Sequence, residues 1–209
     1  MKRRMMLVAA MLASVALSSA NAARAPRTKN EQTIIFSGGC FWGIQSVFEH
    51  TKGVISAVSG YAGGWADHPS YEQVSSGTTG HAESVRVTFD PSQVSLDQLL
   101  KVFFTVAHDP TQLNHQGPDV GTQYRSMVIY TNDDQERAVK AYIAQLADAH
   151  VYAKPIVTQV VAYKSFYPAE EYHQHYAERH PDQPYIAIYD APKVANLKKD
   201  FPQLYRDVK

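Results

Sequence analysis

The stretch TIIFSGGCFWGIQSVFEH, residues 33–50, decides how this chain begins to fold. Thr33 to Phe36 is a β-branched and aromatic run, the composition of a strand. Ser37, Gly38 and Gly39 interrupt it. Phe41, Ile44, Val47 and Phe48 then recur at the spacing of a helix with one apolar face. The reading is strand, glycine turn, helix. Gly53 closes the helix, and Val54 to Ser59 is a second strand. Cys40, the only cysteine of the chain, stands where the turn becomes the helix.

Upstream, Lys2, Arg3 and Arg4 form a positive start, Met5 to Leu17 an apolar run, and Ala20-Asn21-Ala22 a small-residue cleavage site. Residues 1–22 therefore read as a secretory signal. The apolar run is shorter than the roughly 20 residues needed to cross a bilayer, so cleavage near Ala22 is expected rather than a stable membrane anchor. An exported protein, periplasmic or secreted, follows. Residues 23–32 read as a flexible lead-in and residues 33–209 as a single domain, since the roughly 187 residues beyond the signal suffice for one core. Without Lys2, Arg3 and Arg4, 17 basic side chains face 20 acidic ones. Nothing in that balance suggests a nucleic-acid partner.

Downstream, Gly60 to Gly80 sets Tyr61, Trp65 and Tyr71 among Gly, Ser, Thr and Pro, a long structured loop of the kind that carries function. Val85, Val87 and Phe89 alternate with Ser84, Arg86 and Thr88, giving a strand with one apolar face, and Glu83 falls in phase with the apolar set. Ser95-Leu96-Asp97-Gln98 is a capping box opening a helix to about His108. Asp109 to Thr122 is a second loop, Tyr124 to Tyr130 a strand, and Asn132-Asp133-Asp134-Gln135 the start of a third helix. Ile156 to Ala162 reads as a strand and Ala169 to about His180 as a short helix, with little regular signal from Pro181 onward. This order predicts an α/β two-layer sandwich, a mixed sheet covered by helices with a long irregular C-terminal tail.

An exported chain normally pairs its cysteines, so a single one is either a leftover buried residue or a free reactive thiol. The position of Cys40 favours the second. Backbone N–H groups and the helix dipole at a helix start stabilise a thiolate, and the flanking glycines leave the sulfur accessible. Glu83 has two readings: a desolvated carboxyl with a raised pKa, usable as a general acid, or a strand-end glutamate that reaches solvent. Phe41 and Trp42 either pack in the core or wall an apolar pocket beside the sulfur. Tyr71, Tyr124 and Asp119 lie in or beside the long loops, where tyrosines most often serve as anchors. His173, His175 and His180 do not share the one-face spacing of a metal site, so no metal is expected.

Gly39-Cys40-Phe41-Trp42-Gly43 resembles the signature of the A-type methionine sulfoxide reductases. The resemblance extends through Gly60-Tyr61-Ala62-Gly63-Gly64, Pro69-Ser70-Tyr71-Glu72-Gln73-Val74, Gly80-His81-Ala82-Glu83, His108-Asp109-Pro110, Gln116-Gly117-Pro118-Asp119 and Gly121-Thr122-Gln123-Tyr124-Arg125-Ser126, in the expected order. It implies that Cys40 is the nucleophile and that Phe41 and Trp42 bind the substrate methyl group. It further implies that Glu83 protonates the sulfoxide oxygen, that Tyr71 and Tyr124 hydrogen-bond the same oxygen, and that Asp119 belongs to the surrounding polar network. The family reduces the S epimer at sulfur.

Many members of that family carry further cysteines that resolve the sulfenic acid as a disulfide, commonly in the C-terminal tail. This chain has none. The expectation is therefore an external reductant, a thioredoxin-like protein or a small thiol, with no bound cofactor. Oxidised proteins carrying methionine sulfoxide are the expected partners, and a monomer the expected state. Two rivals are acyl or amide transfer by Cys40 with His81 as base, and a peptide-binding protein with an inert cysteine. Sulfoxide consumption measured against ester cleavage separates the first, and iodoacetamide labelling the second.

Overall fold

The computed structural model describes residues 30–208, so the secretory-signal reading of residues 1–22 and most of the lead-in lie outside the described residues. In chain order the strands are β1 (Gln32–Ser37), β2 (Val54–Ala62), β3 (Ala82–Phe89), β4 (His115–Gln116), β5 (Asp119–Val120), β6 (Met127–Tyr130), β7 (Gln159–Ala162) and β8 (Phe166–Pro168). The helices are α1 (Phe41–Glu49), α2 (Tyr71–Ser75), α3 (Leu96–Val102), α4 (Asp133–Asp148), α5 (Tyr176–Arg179) and α6 (Ala191–Asp200). Six strands form one sheet in the order β7-β6-β1-β3-β2-β8. All neighbours are antiparallel except β6 and β7, which run parallel. The sheet is mixed and the fold α/β, as the sequence predicts.

Strand β1 lies inside the sheet, and its run of branched and aromatic residues suits burial on both faces. Ile34, Ile35 and Phe36 have no exposed surface. Phe36 packs toward the helices, with ring centroids 4.8 Å from Phe48 of α1 and 4.6 Å from Phe103 beyond α3. Each of these fully buried rings contributes about 1.5–3 kcal/mol relative to exposure. Ile35 joins a smaller apolar cluster with Ala62, Ala82, Met127, Ile129 and Phe166. No helix among the described residues is long and apolar enough to cross a membrane.

Several segments differ from their sequence reading. The loop after β2 contains α2, opened by a capping box between Ser70 and Gln73. Tyr124 ends a 3-10 turn, Thr122–Tyr124, instead of beginning a strand, because Gly121 at φ +139 turns the chain just before it. The helix expected over 169–180 is split into a 3-10 turn, Glu171–His173, and α5, with His175 left-handed at φ +54 between them. Beside that break the side chain of Gln174 is buried and donates to the carbonyls of Ser59 and Ala169, each at 3.0 Å. Tertiary hydrogen bonds outweigh helical continuity there.

The segment after Pro181 has more regular structure than its sequence suggests. A π-helical turn, Ile186–Asp190, leads into α6, which has a proline in its first turn and buries Leu197 completely. The chain then returns to the end of α1. The Lys52 N–H donates to Leu204 O at 2.6 Å and the Arg206 N–H to His50 O at 2.8 Å.

Gly43 makes this packing possible. A Cβ built there would stand 2.1 Å from Asp190 Oδ1 and 2.9 Å from Lys193 Nζ. Asp190 is wholly buried and cannot swing into solvent. Gly43→Ala is expected to lower stability by about 1–2 kcal/mol, the cost of overpacking less the gain in helix propensity, measured as a lower urea midpoint. An unchanged or higher midpoint would contradict the tight approach of the C-terminal segment to α1.

Candidate active site

Cys40 is the N-cap of α1, carried there by a turn in which Gly39 adopts φ +99. A Cβ on Gly39 would meet Gln116 Cγ at 2.6 Å, so the glycine also lets the β4–β5 hairpin, which carries Asp119, lie against the turn. The thiol is free and buried, with 8% of the residue exposed.

Glu83 lies on β3, opposite Tyr61 of β2 and in phase with Val85, Val87 and Phe89. It does not reach solvent; only 3% is exposed. Its Oε2 accepts the Phe41 backbone N–H at 3.0 Å, which ties the carboxyl to the residue following Cys40. Burial raises its pKa to about 8, against the opposing effect of that hydrogen bond, with Asp119 and Asp190 adding to the rise. Near neutral pH the group is mostly a neutral acid.

The thiolate expected at the helix start is not the resting state. Burial, the nearby Glu83 and then Asp190 push the Cys40 thiol well above the usual cysteine range, and these outweigh the backbone hydrogen bond at Trp42 and the charge of Lys193. The helix-start argument considers only local dipoles, whereas desolvation by the whole fold is the larger effect.

Tyr71 opens α2 and donates its backbone N–H to Glu170 Oε1 at 2.9 Å. The other oxygen of Glu170 accepts the Tyr61 hydroxyl at 2.7 Å. Tyr71 and Tyr124 are half-buried. Burial raises the pKa of both, and both also feel the charges of Glu83 and Cys40, so the two phenols stay protonated as donors. Burial likewise raises the Asp119 carboxyl, which accepts a short hydrogen bond from the Tyr185 hydroxyl.

Phe41 is wholly buried, its ring 6.0 Å from that of Tyr61 and 5.1 Å from that of His173. Trp42 is half-buried and enclosed by the C-terminal segment. It stacks on Tyr176 at 3.9 Å and 13°, meets Tyr185 edge-on at 6.2 Å, and its Nε1–H donates to His173 Nδ1 at 3.1 Å.

His173, Tyr176, Tyr185, Glu170 and Asp190 went unnoticed in the sequence as parts of this region. The glutamates, histidines and tyrosines of residues 169–180 read as a helix surface. No pattern in the sequence marks Tyr185 or Asp190. His81 has its own partners, with Nδ1 accepting from the Gly64 N–H at 3.2 Å and Nε2 lying 2.8 Å from Ala66 O. That occupancy speaks against its use as a base toward Cys40.

A model of the family described as peptide methionine sulfoxide reductase matches residues 32–205, nearly the whole described chain. The chain belongs to that family. A peptide methionine sulfoxide reductase, MsrA 2, of Mesorhizobium japonicum is 57% identical over 176 residues, covering 84% of this chain and 90% of its own. Among solved structures, the reduced form of Mxr1 from Saccharomyces cerevisiae is similar, with a TM-score of 0.68 and 32% identity over 74% of this chain and 88% of its own. Methionine sulfoxide reductase A of Corynebacterium diphtheriae matches with a TM-score of 0.65 and 35% identity, covering 74% of this chain and 77% of its own. The protein is therefore an A-type enzyme that reduces methionine sulfoxide.

Proposed function

We propose that this reductase acts on the S epimer of peptide-bound methionine sulfoxide through Cys40 and Glu83. The observation that carries this reading is the hydrogen bond from the Phe41 N–H to Glu83 Oε2, which holds a buried, protonatable carboxyl beside the nucleophile's helix turn. A sulfoxide sulfur becomes electrophilic when its oxygen is protonated or strongly hydrogen-bonded. Glu83 supplies the proton, while Tyr71 and Tyr124 donate hydrogen bonds to the same oxygen. Asp119, held by Tyr185, belongs to the polar network around them. Phe41 and Trp42 enclose the substrate methyl group.

The resting protonation states make this a proton exchange. With both the Cys40 thiol and Glu83 neutral, Glu83 gives its proton to the sulfoxide oxygen as the sulfur of Cys40 attacks, and regains one from the thiol. Two electrons pass from the Cys40 sulfur to the substrate sulfur. The sulfur–sulfur bond made by attack then gives way as the oxygen passes from the substrate sulfur to the Cys40 sulfur. The substrate S–O bond breaks, a Cys40 S–O bond forms, and thiol plus sulfoxide becomes sulfenic acid plus methionine. The buried pair never has to carry two negative charges.

In the second half of the cycle an external thiol attacks the Cys40 sulfur, releases water and leaves a mixed disulfide, which a second thiol cleaves. A thioredoxin-like protein or a small thiol fills that role, and no bound cofactor takes part. The amino-terminal segment directs the enzyme out of the cytoplasm, where it repairs oxidised exported proteins. Enzyme exposed to substrate without reductant is expected to gain one oxygen atom by intact-mass spectrometry and to release one equivalent of methionine. Loss of two hydrogens within a monomer would overturn the external-thiol scheme.

A further inference from the structure

We propose that His173 is a positioning residue for substrate binding, fixing the plane of Trp42 by accepting its indole N–H; this rests on the reading of Trp42 as a wall of the methyl pocket. Trp42 Nε1 lies 3.1 Å from His173 Nδ1. An indole nitrogen can only donate, so Nδ1 must present its lone pair and the proton of the neutral imidazole must sit on Nε2. Nε2 is buried and has no hydrogen-bond partner among the described residues. The tautomer is thus the one that serves Trp42 and leaves the histidine's own donor unpaired. A histidine present only to fill space would face no such constraint.

The surroundings support the same role. His173 is 2% exposed, and its ring centroid lies 4.3 Å from Tyr71, 5.1 Å from Phe41 and 5.8 Å from Trp42. It therefore touches two aromatic residues on α1 and the first residue of α2 at once. Burial holds the imidazole below its usual pKa, against the pull of Glu170 and Glu72, which keeps Nδ1 free to accept. On its other side the indole is stacked on Tyr176. Stacking limits tilting of the indole but leaves it free to slide and rotate in plane, and the hydrogen bond to His173 removes that freedom.

The test compares two polar replacements of similar size. Asparagine places a carbonyl oxygen near the position of Nδ1 and can accept from Trp42; glutamine extends its polar atoms toward the position of Nε2. His173→Asn is expected to keep KM for methionine sulfoxide close to the parent value. His173→Gln is expected to raise KM about tenfold with little change in single-turnover rate at saturation, and to alter the Trp42 emission spectrum in a Trp65→Phe background. Equal KM values for the two variants would overturn the proposal, because ring loss alone would then account for the effect. Should either variant fail to fold, benzothienylalanine in place of Trp42 in the same background removes the N–H from the other side. A rise in KM there supports the proposal and an unchanged KM overturns it. Trp42→Ala with an unchanged KM would instead remove the pocket reading itself, a result distinguishable from failure of the His173 assignment.

Discussion

Cys40→Ser is expected to have no measurable sulfoxide reductase activity with any thiol donor, while retaining its fold. Serine is close to isosteric at this position, and the site adjusts little to the change. The loss is chemical: the step transfers two electrons out of the nucleophile, and an alkoxide cannot become the oxygen-bearing product as a thiol becomes a sulfenic acid. Because the chain holds no second cysteine, no neighbouring thiol can substitute. The assay is methionine release from a peptide sulfoxide with dithiothreitol, alongside a circular dichroism melt. Retained turnover would remove Cys40 from the chemistry.

Glu83→Gln is expected to lower the rate of the chemical step by roughly 100-fold or more, the usual contribution of a positioned general acid. Glutamine keeps a hydrogen-bond donor but cannot transfer a proton and recover one. The pH dependence gives an independent check. A carboxyl group raised to about 8 by burial is a donor below that pH and an ionised bystander above it. Wild-type kcat/KM for sulfoxide is therefore expected to fall about tenfold per unit above pH 8 or so, and the glutamine variant to lack that limb. Full turnover in Glu83→Gln, or the same alkaline limb in both enzymes, would sink the assignment.

What the sequence discloses depends on the range of the interaction. Residues 33–50 were legible because strand period, glycine turn and helix period are local, and the phase of Glu83 with Val85, Val87 and Phe89 needed only one strand. The depth of Glu83 was not local, and only the fold resolves its two readings in favour of burial. The Cys40 thiol shows the reverse failure, a correct local argument outweighed by burial in the finished fold and then by the charges of Glu83 and Asp190. The C-terminal third was hardest to read. Its structure comes from pairs such as Trp42 with His173 and Ser59 with Gln174, more than a hundred residues apart in sequence. One local signal was available there, the proline in the first turn of α6, a common way to open a helix.

The return of the C-terminal segment to α1 also governs when the active site can exist. Helix α1 is made near the start of the described chain, whereas the groups that enclose Trp42 and press on Gly43 lie at positions 173–193. Nearly all of the chain must be in place before the nucleophile's helix acquires its cover. Until then the thiol sits on an incomplete apolar surface, in the kind of intermediate that late, long-range contacts leave open to aggregation and to oxidants. A thiol that is guarded in the finished enzyme is thus at its most vulnerable during biogenesis.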